Sequence, residues 1–186
     1  MRQVFGWMAV VVLCCAARAV AGEEPPDARL LEAQAAYDEA VKLQNAGKYA
    51  EALAELRTAR RLSGRQDYIP MMADCERALG RPEKALAYDT PAAREALDKA
   101  GSVELSIVVA GARRDLGQFP AALRILESEP LHSASREDWV ARLRYAYADT
   151  LLAAERTEDA IEWFHRTIAV DANEVTDAQD RIAALD

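Results

Sequence analysis

The stretch Gly47-Lys48-Tyr49-Ala50-Glu51-Ala52-Leu53-Ala54-Glu55-Leu56-Arg57-Thr58-Ala59 opens on a turn residue and continues with apolar positions at helical offsets. Ala52, Leu56 and Ala59 fall on one helix face, two of the three with almost no side chain. The phrase returns as Gly80-Arg81-Pro82-Glu83-Lys84-Ala85-Leu86, as Gly117-Gln118-Phe119-Pro120-Ala121-Ala122-Leu123, and as Glu155-Arg156-Thr157-Glu158-Asp159-Ala160-Ile161. Aligned on their small residue, the copies fall at Ala52, Ala85, Ala122 and Ala160, at intervals of 33, 37 and 38. Those intervals lie close to the roughly 34-residue period of a helix-turn-helix repeat. Twelve positions before each of these alanines stands another: Ala40, Ala73, Ala110 and Ala148.

A small residue at both places, beside a Gly-aromatic turn and repeated in order, resembles the tetratricopeptide repeat. The resemblance implies an all-α chain, an α-solenoid of about four helix-turn-helix repeats over 29–173 with a C-terminal capping helix over 174–186. The second and third repeats are degenerate. The competing reading is a generic Ala-rich helical bundle. Composition fits either, since 51% of the 186 residues are hydrophobic but only 6% aromatic, which suits Ala-packed helices in one domain. No run alternates with period two long enough for a sheet. The strand-like Leu105-Ser106-Ile107-Val108-Val109 is followed by Ala110, Ala112 and Leu116 at helical spacing, so helix is expected there. The similar run Thr167-Ile168-Ala169-Val170 is expected to end a helix.

Residues 1–21 read as a secretory signal peptide. Arg2 gives a positive start, Val4 to Cys15 is almost continuously apolar, and Ala19-Val20-Ala21 is a small-x-small cleavage site. The run is shorter than the roughly 20 residues a spanning helix needs, so no membrane span is expected after cleavage. The expected location is periplasmic or secreted. Lipoprotein anchoring through the Cys14-Cys15 pair is a minor alternative, because neither cysteine sits in a good lipobox. Residues 22–28 read as a disordered, Pro-containing tether.

Cleavage leaves Cys75 alone, too few thiols for an internal disulfide, and a buried, inert one is expected. His132 and His165 are the only histidines, so a His-centred catalytic or zinc site has little to be made from, and no cofactor or metal is expected. Removal of Arg2 and Arg18 reduces the 23 basic residues to 21 against 31 acidic ones, a net of −10. That balance argues against nucleic acid as a partner.

Several local features are expected. Asp67 should cap the second repeat, with Pro70 inside its first turn. Thr90-Pro91 should bring a kink or a fresh helix running from Pro91 to Lys99. Ser135-Arg136-Glu137-Asp138 reads as a capping box for the fourth repeat. Arg144 stands where the resemblance expects a large apolar residue, with Trp139 or Leu143 available to fill the gap. A last helix is expected over Thr176 to Asp186.

Function, on this resemblance, belongs to the groove lined by the first helix of each pair, because the fold itself carries no chemistry. The positions carried over are Gln34, Tyr37, Val41 and Gln44; Asp67, Asp74 and Arg77; Glu104, Ile107 and Arg114; and Arg142, Tyr145, Asp149 and Leu152. The Lys/Asn arrangement that clamps a peptide C-terminus in some members is absent. The best-placed set is Tyr37, Gln44, Asp74, Arg77, Ile107, Arg114, Arg142, Tyr145 and Asp149, in which arginine forks pair carboxylates and tyrosines offer rigid contact area. The function expected is a non-enzymatic scaffold of the cell envelope that binds a partner protein or extended peptide, with room for association between copies. The alternative is an accessory domain, or a small enzyme, of envelope metabolism. It lacks a nucleophile-base pair, a phosphate loop and a ligand cluster.

Overall fold

The computed structural model describes residues 27–185. The proposed leader, its cleavage point, Cys14, Cys15 and most of the tether lie outside them. The described chain is all-α, ten helices with no strand among them. In order they are α1 (Ala28–Asn45), α2 (Tyr49–Ser63), α3 (Ile69–Ala78), α4 (Pro82–Leu86), α5 (Pro91–Ala96), α6 (Lys99–Asp115), α7 (Phe119–Glu127), α8 (Asp138–Ala153), α9 (Thr157–Ile168) and α10 (Ala178–Ala183). Neighbours in sequence pack as pairs, α1 with α2, α3 with α4, α6 with α7 and α8 with α9. The pairs are joined through α2 on α3, α3 on α6 and α6 on α8, and α10 closes over α9.

The recurring alanines lie in the core. Ala40, Ala52, Ala73, Ala85, Ala122, Ala148 and Ala160 are fully buried and Ala110 is 1% exposed, whereas Ala54 faces solvent. The buried alanines share clusters with larger side chains, Ala40 and Ala52 with Leu56, Ala73 and Ala85 with Leu105, and Ala148 and Ala160 with Leu143 and Phe164, and residues this small let packed helix backbones approach closely. The turns between partners share one geometry. The N–H of Lys48 donates to Leu43 O at 2.8 Å, Arg81 to Glu76 at 3.0 Å, Gln118 to Arg113 at 2.8 Å and Arg156 to Leu151 at 2.9 Å. This is the Schellman closure, which needs a left-handed residue just before the donor. Gly47, Gly80 and Gly117 supply it with φ of 71–72°, and Glu155 is forced into the same region at φ 62°.

Several expectations for helix ends are corrected. Asp67 does not cap α3, whose N-cap is Tyr68; its carboxylate is taken by Arg65. Pro70 does lie in the first turn. Ser135 does not form a capping box: α8 begins at Asp138 behind Glu137, and the Ser135 hydroxyl accepts the Glu137 N–H at 3.2 Å in a local turn. Thr90 caps a separate helix, accepting from Ala93 N at 3.2 Å, but α5 ends at Ala96 and Lys99 already begins α6. The return helix α4 is thereby cut to five residues. Arg94 ties α5 down, donating to Ser102 O at 2.8 Å and to Ser106 Oγ at 2.6 Å, while Ser106 donates to Glu129 at 2.6 Å. The last helix is likewise shorter than expected, six residues from Ala178, with Ile182 and Leu185 packed on the core beside it. Both strand-like runs are helical or end a helix.

Arg144 is explained by its partners. Its guanidinium donates to the carbonyls of Leu131 at 2.9 Å, Ser133 at 2.8 Å and Arg166 at 2.9 Å, holding the loop before α8 against the end of α9. Trp139 and Leu143 are both core residues beside it.

Two predictions test this packing. Ala52→Leu or Ala148→Leu should overfill a helix crossing and lower stability to urea by about 1–3 kcal/mol, while Ala54→Leu should change it by less than about 0.5 kcal/mol. Glu155→Gly relieves a left-handed conformation that costs roughly 1–2 kcal/mol and loses part of that to glycine's greater unfolded-state freedom. A net gain of roughly 0.5 kcal/mol is expected in the same measurement.

Candidate functional site

Residues of α3, α6 and α8 line a concavity of about 100 Å³. Of the nine best-placed candidates, Asp74, Arg77, Ile107, Arg114, Arg142, Tyr145 and Asp149 line it. Helical spacing explains their convergence. Asp74 and Arg77 lie one turn apart on α3, Ile107 and Arg114 two turns apart on α6, and Arg142, Tyr145 and Asp149 step along α8. Gln44 and Tyr37 stand apart from its wall. Gln44 Nε2 donates to Asp74 Oδ2 at 3.1 Å from α1. Tyr37 is core, its ring 5.4 Å from that of Tyr68, and burial pushes its hydroxyl pKa up to about 12, with Asp67 adding to the rise.

Each arginine of the concavity already has a carboxylate. Arg77 donates through Nε and Nη2 to Asp74 Oδ1 at 3.1 and 3.0 Å, and through Nη1 to Asp115 at 3.1 Å. Burial works against the Arg77 charge, but Asp74 and Asp115 outweigh it and hold its pKa above the ordinary value. Arg142 pairs with Glu104, where burial raises the carboxyl pKa against the opposing pull of Arg142. Asp149 accepts Arg114 on one oxygen and Arg181, from α10, on the other. The result is a ladder of charged contacts running from α1 to α3 to α6 to α8 to α10. Tyr145 closes one end, its ring 5.4 Å from Phe164 and its pKa raised first by burial and then by the bond it donates to Asp177.

Between the rungs the surface is carbon. Ile107 and Ala146 keep part of their surface exposed, Val108 lies beneath them, and Gly111 presents bare backbone. A Cβ at Gly111 would stand 3.4 Å from Arg77 Cδ and Nε, so the glycine lets the Arg77 stem lie across α6. Val108, Gly111, Ala146 and Thr150 were missed by sequence reasoning, as were the partner roles of Asp115 and Arg181. Gly111 alone left a signal, a glycine inside an otherwise helical run.

Elsewhere, Cys75 is fully buried, and burial raises its thiol pKa to about 12, which keeps it protonated and unreactive. His132 lies against Trp163, ring centroids 5.4 Å apart. Among the described residues no group of His, Cys, Asp and Glu is placed to hold a metal ion, and no helix is long and apolar enough to cross a membrane. No protein-family model matches the chain, and no curated protein matches it.

Asp149→Asn should leave Arg114 and Arg181 facing one another with their shared counter-charge gone, lowering stability by about 1–3 kcal/mol. Asp159→Asn, in an exposed pair with Arg156, should change it by less than about 0.5 kcal/mol in the same urea titration.

Proposed function

We propose that the chain is a tetratricopeptide-like repeat protein, four helix pairs stacked as a short solenoid with α10 as its cap, exported to the cell envelope as a non-enzymatic scaffold. Its partner, a protein or an extended peptide, lies in the concavity between α3, α6 and α8. Support for the repeat reading comes from the buried alanines at matching positions and from four turns of one geometry. Support for export comes from the leader-like residues 1–21. The observation that carries the binding reading is the convergence of seven candidate groove residues from three inner helices on one concave surface. Clefts between helices are where ligands of such folds are accommodated, with a few placed polar groups around an apolar floor.

Replacing Arg77, Arg114 and Tyr145 together removes three of the groove's walls. Recovery of envelope partners on the immobilised variant, its helicity first checked by circular dichroism, is expected to fall at least about tenfold, the equivalent of some 1.4 kcal/mol. A photo-cross-linking residue at Ile107 should capture the partner, and one at Ala54 should not. Undiminished recovery by a folded triple variant, or equal capture from both positions, would remove the groove from the reading.

A further inference from the structure

Resting on the groove reading, we propose that the partner enters as an extended peptide segment anchored by one uncharged, apolar side chain of leucine or methionine size, and not by a carboxylate. The charge balance of the wall selects that occupant. Three arginines line the concavity, and three carboxylates line it with them. Asp74 has one oxygen on Arg77 and the other on Gln44, and Asp149 is shared by Arg114 and Arg181. An acidic ligand would lose its hydration at a wall whose arginines are already balanced by carboxylates, a desolvation cost with no net counter-charge to offset it. A basic ligand meets the same obstacle in reverse. The electrostatic complement of a matched wall is a neutral group.

The floor supplies the attraction. Ile107, Val108 and Ala146 form it with the bare Gly111 backbone, and the carbon stem of Arg77 lies along its edge. Its volume sets the size. A cavity of about 150 Å³ takes a benzene ring, so about 100 Å³ suits a four-carbon aliphatic or thioether side chain rather than an indole. The main chain on either side of such an anchor would cross the rungs of the ladder. There the carboxylates and guanidinium groups can take up peptide N–H and C=O groups without surrendering their own partners, since each has further acceptor or donor capacity.

Random heptapeptides displayed on phage provide the probe, selected against the purified protein and then measured as synthetic peptides by fluorescence anisotropy. Selected peptides are expected to share one Leu, Met or Ile flanked by uncharged residues. Its replacement by Ala should weaken binding about tenfold or more, and its replacement by Asp should abolish binding. Ala146→Leu, which fills the floor, should weaken the same peptides at least as much, and Ile107→Ser, which removes apolar surface without adding bulk, should do so in an independent way. Groove-dependent binding anchored by an Asp, Glu or C-terminal carboxylate would overturn the inference and leave the groove reading standing. Peptides indifferent to Ala146→Leu, Ile107→Ser and the triple groove variant, or no selected peptide at all, would overturn both.

Discussion

Everything in this molecule depends on how near two helices can come. The alanines that recur through the helix pairs are buried in the core, and a single methyl group lets two packed helices approach closely. The close approach then fixes where bulkier side chains go. Leu56, Leu105, Leu143 and Phe164 share the buried clusters with those alanines and supply their bulk. A chain poor in aromatics builds a dense core in this way because its helices do not need large residues to bridge a wide gap.

The inner surface follows from that arrangement. Once α3, α6 and α8 lie side by side, the polar residues on their inward faces are brought within reach of one another, and in an acidic chain each arginine finds a carboxylate. Arg77, Arg142 and Arg114 connect successive helices through Asp115, Glu104 and Asp149, and Arg181 draws α10 onto the same line. These contacts hold a register between helices that the alanine crossings alone would leave open to sliding. They also take up the charge that a ligand would otherwise meet, so the recognition proposed for the concavity rests on shape and carbon rather than on ion pairing.

Irregularities have local causes that leave the plan intact. Pro91 cuts the return helix of the second pair short, and Arg94 repairs the gap by binding α5 to Ser102 and Ser106. Glu155 occupies a left-handed position that glycine fills in the other three turns, held there by the same closing hydrogen bond. Arg144 replaces an apolar contact with three carbonyl contacts. The last two give partners to backbone carbonyls at turns, loops and helix ends.

The amino-acid sequence by itself determined the helices, their pairing and the faces they bury, because those depend on the spacing of small and apolar residues along a helix and on glycine at the turns. It marked Ala40, Ala52, Ala148 and Ala160 as recurring small residues before any coordinates, and the resemblance to a helix-pair repeat pointed to most residues of the concavity. Helix ends were less legible. Asp67 and Ser135 have the right chemistry for caps, but Arg65 claims the first and a local turn the second, and such competition is settled in space. The pairing of the groove charges was decided only by tertiary structure. That Arg114 meets Asp149 across 35 positions, and that Arg181 meets the same carboxylate from the far end of the chain, depends on the angle and offset between helices. No period in the sequence records that angle, since it is set by how every crossing packs at once.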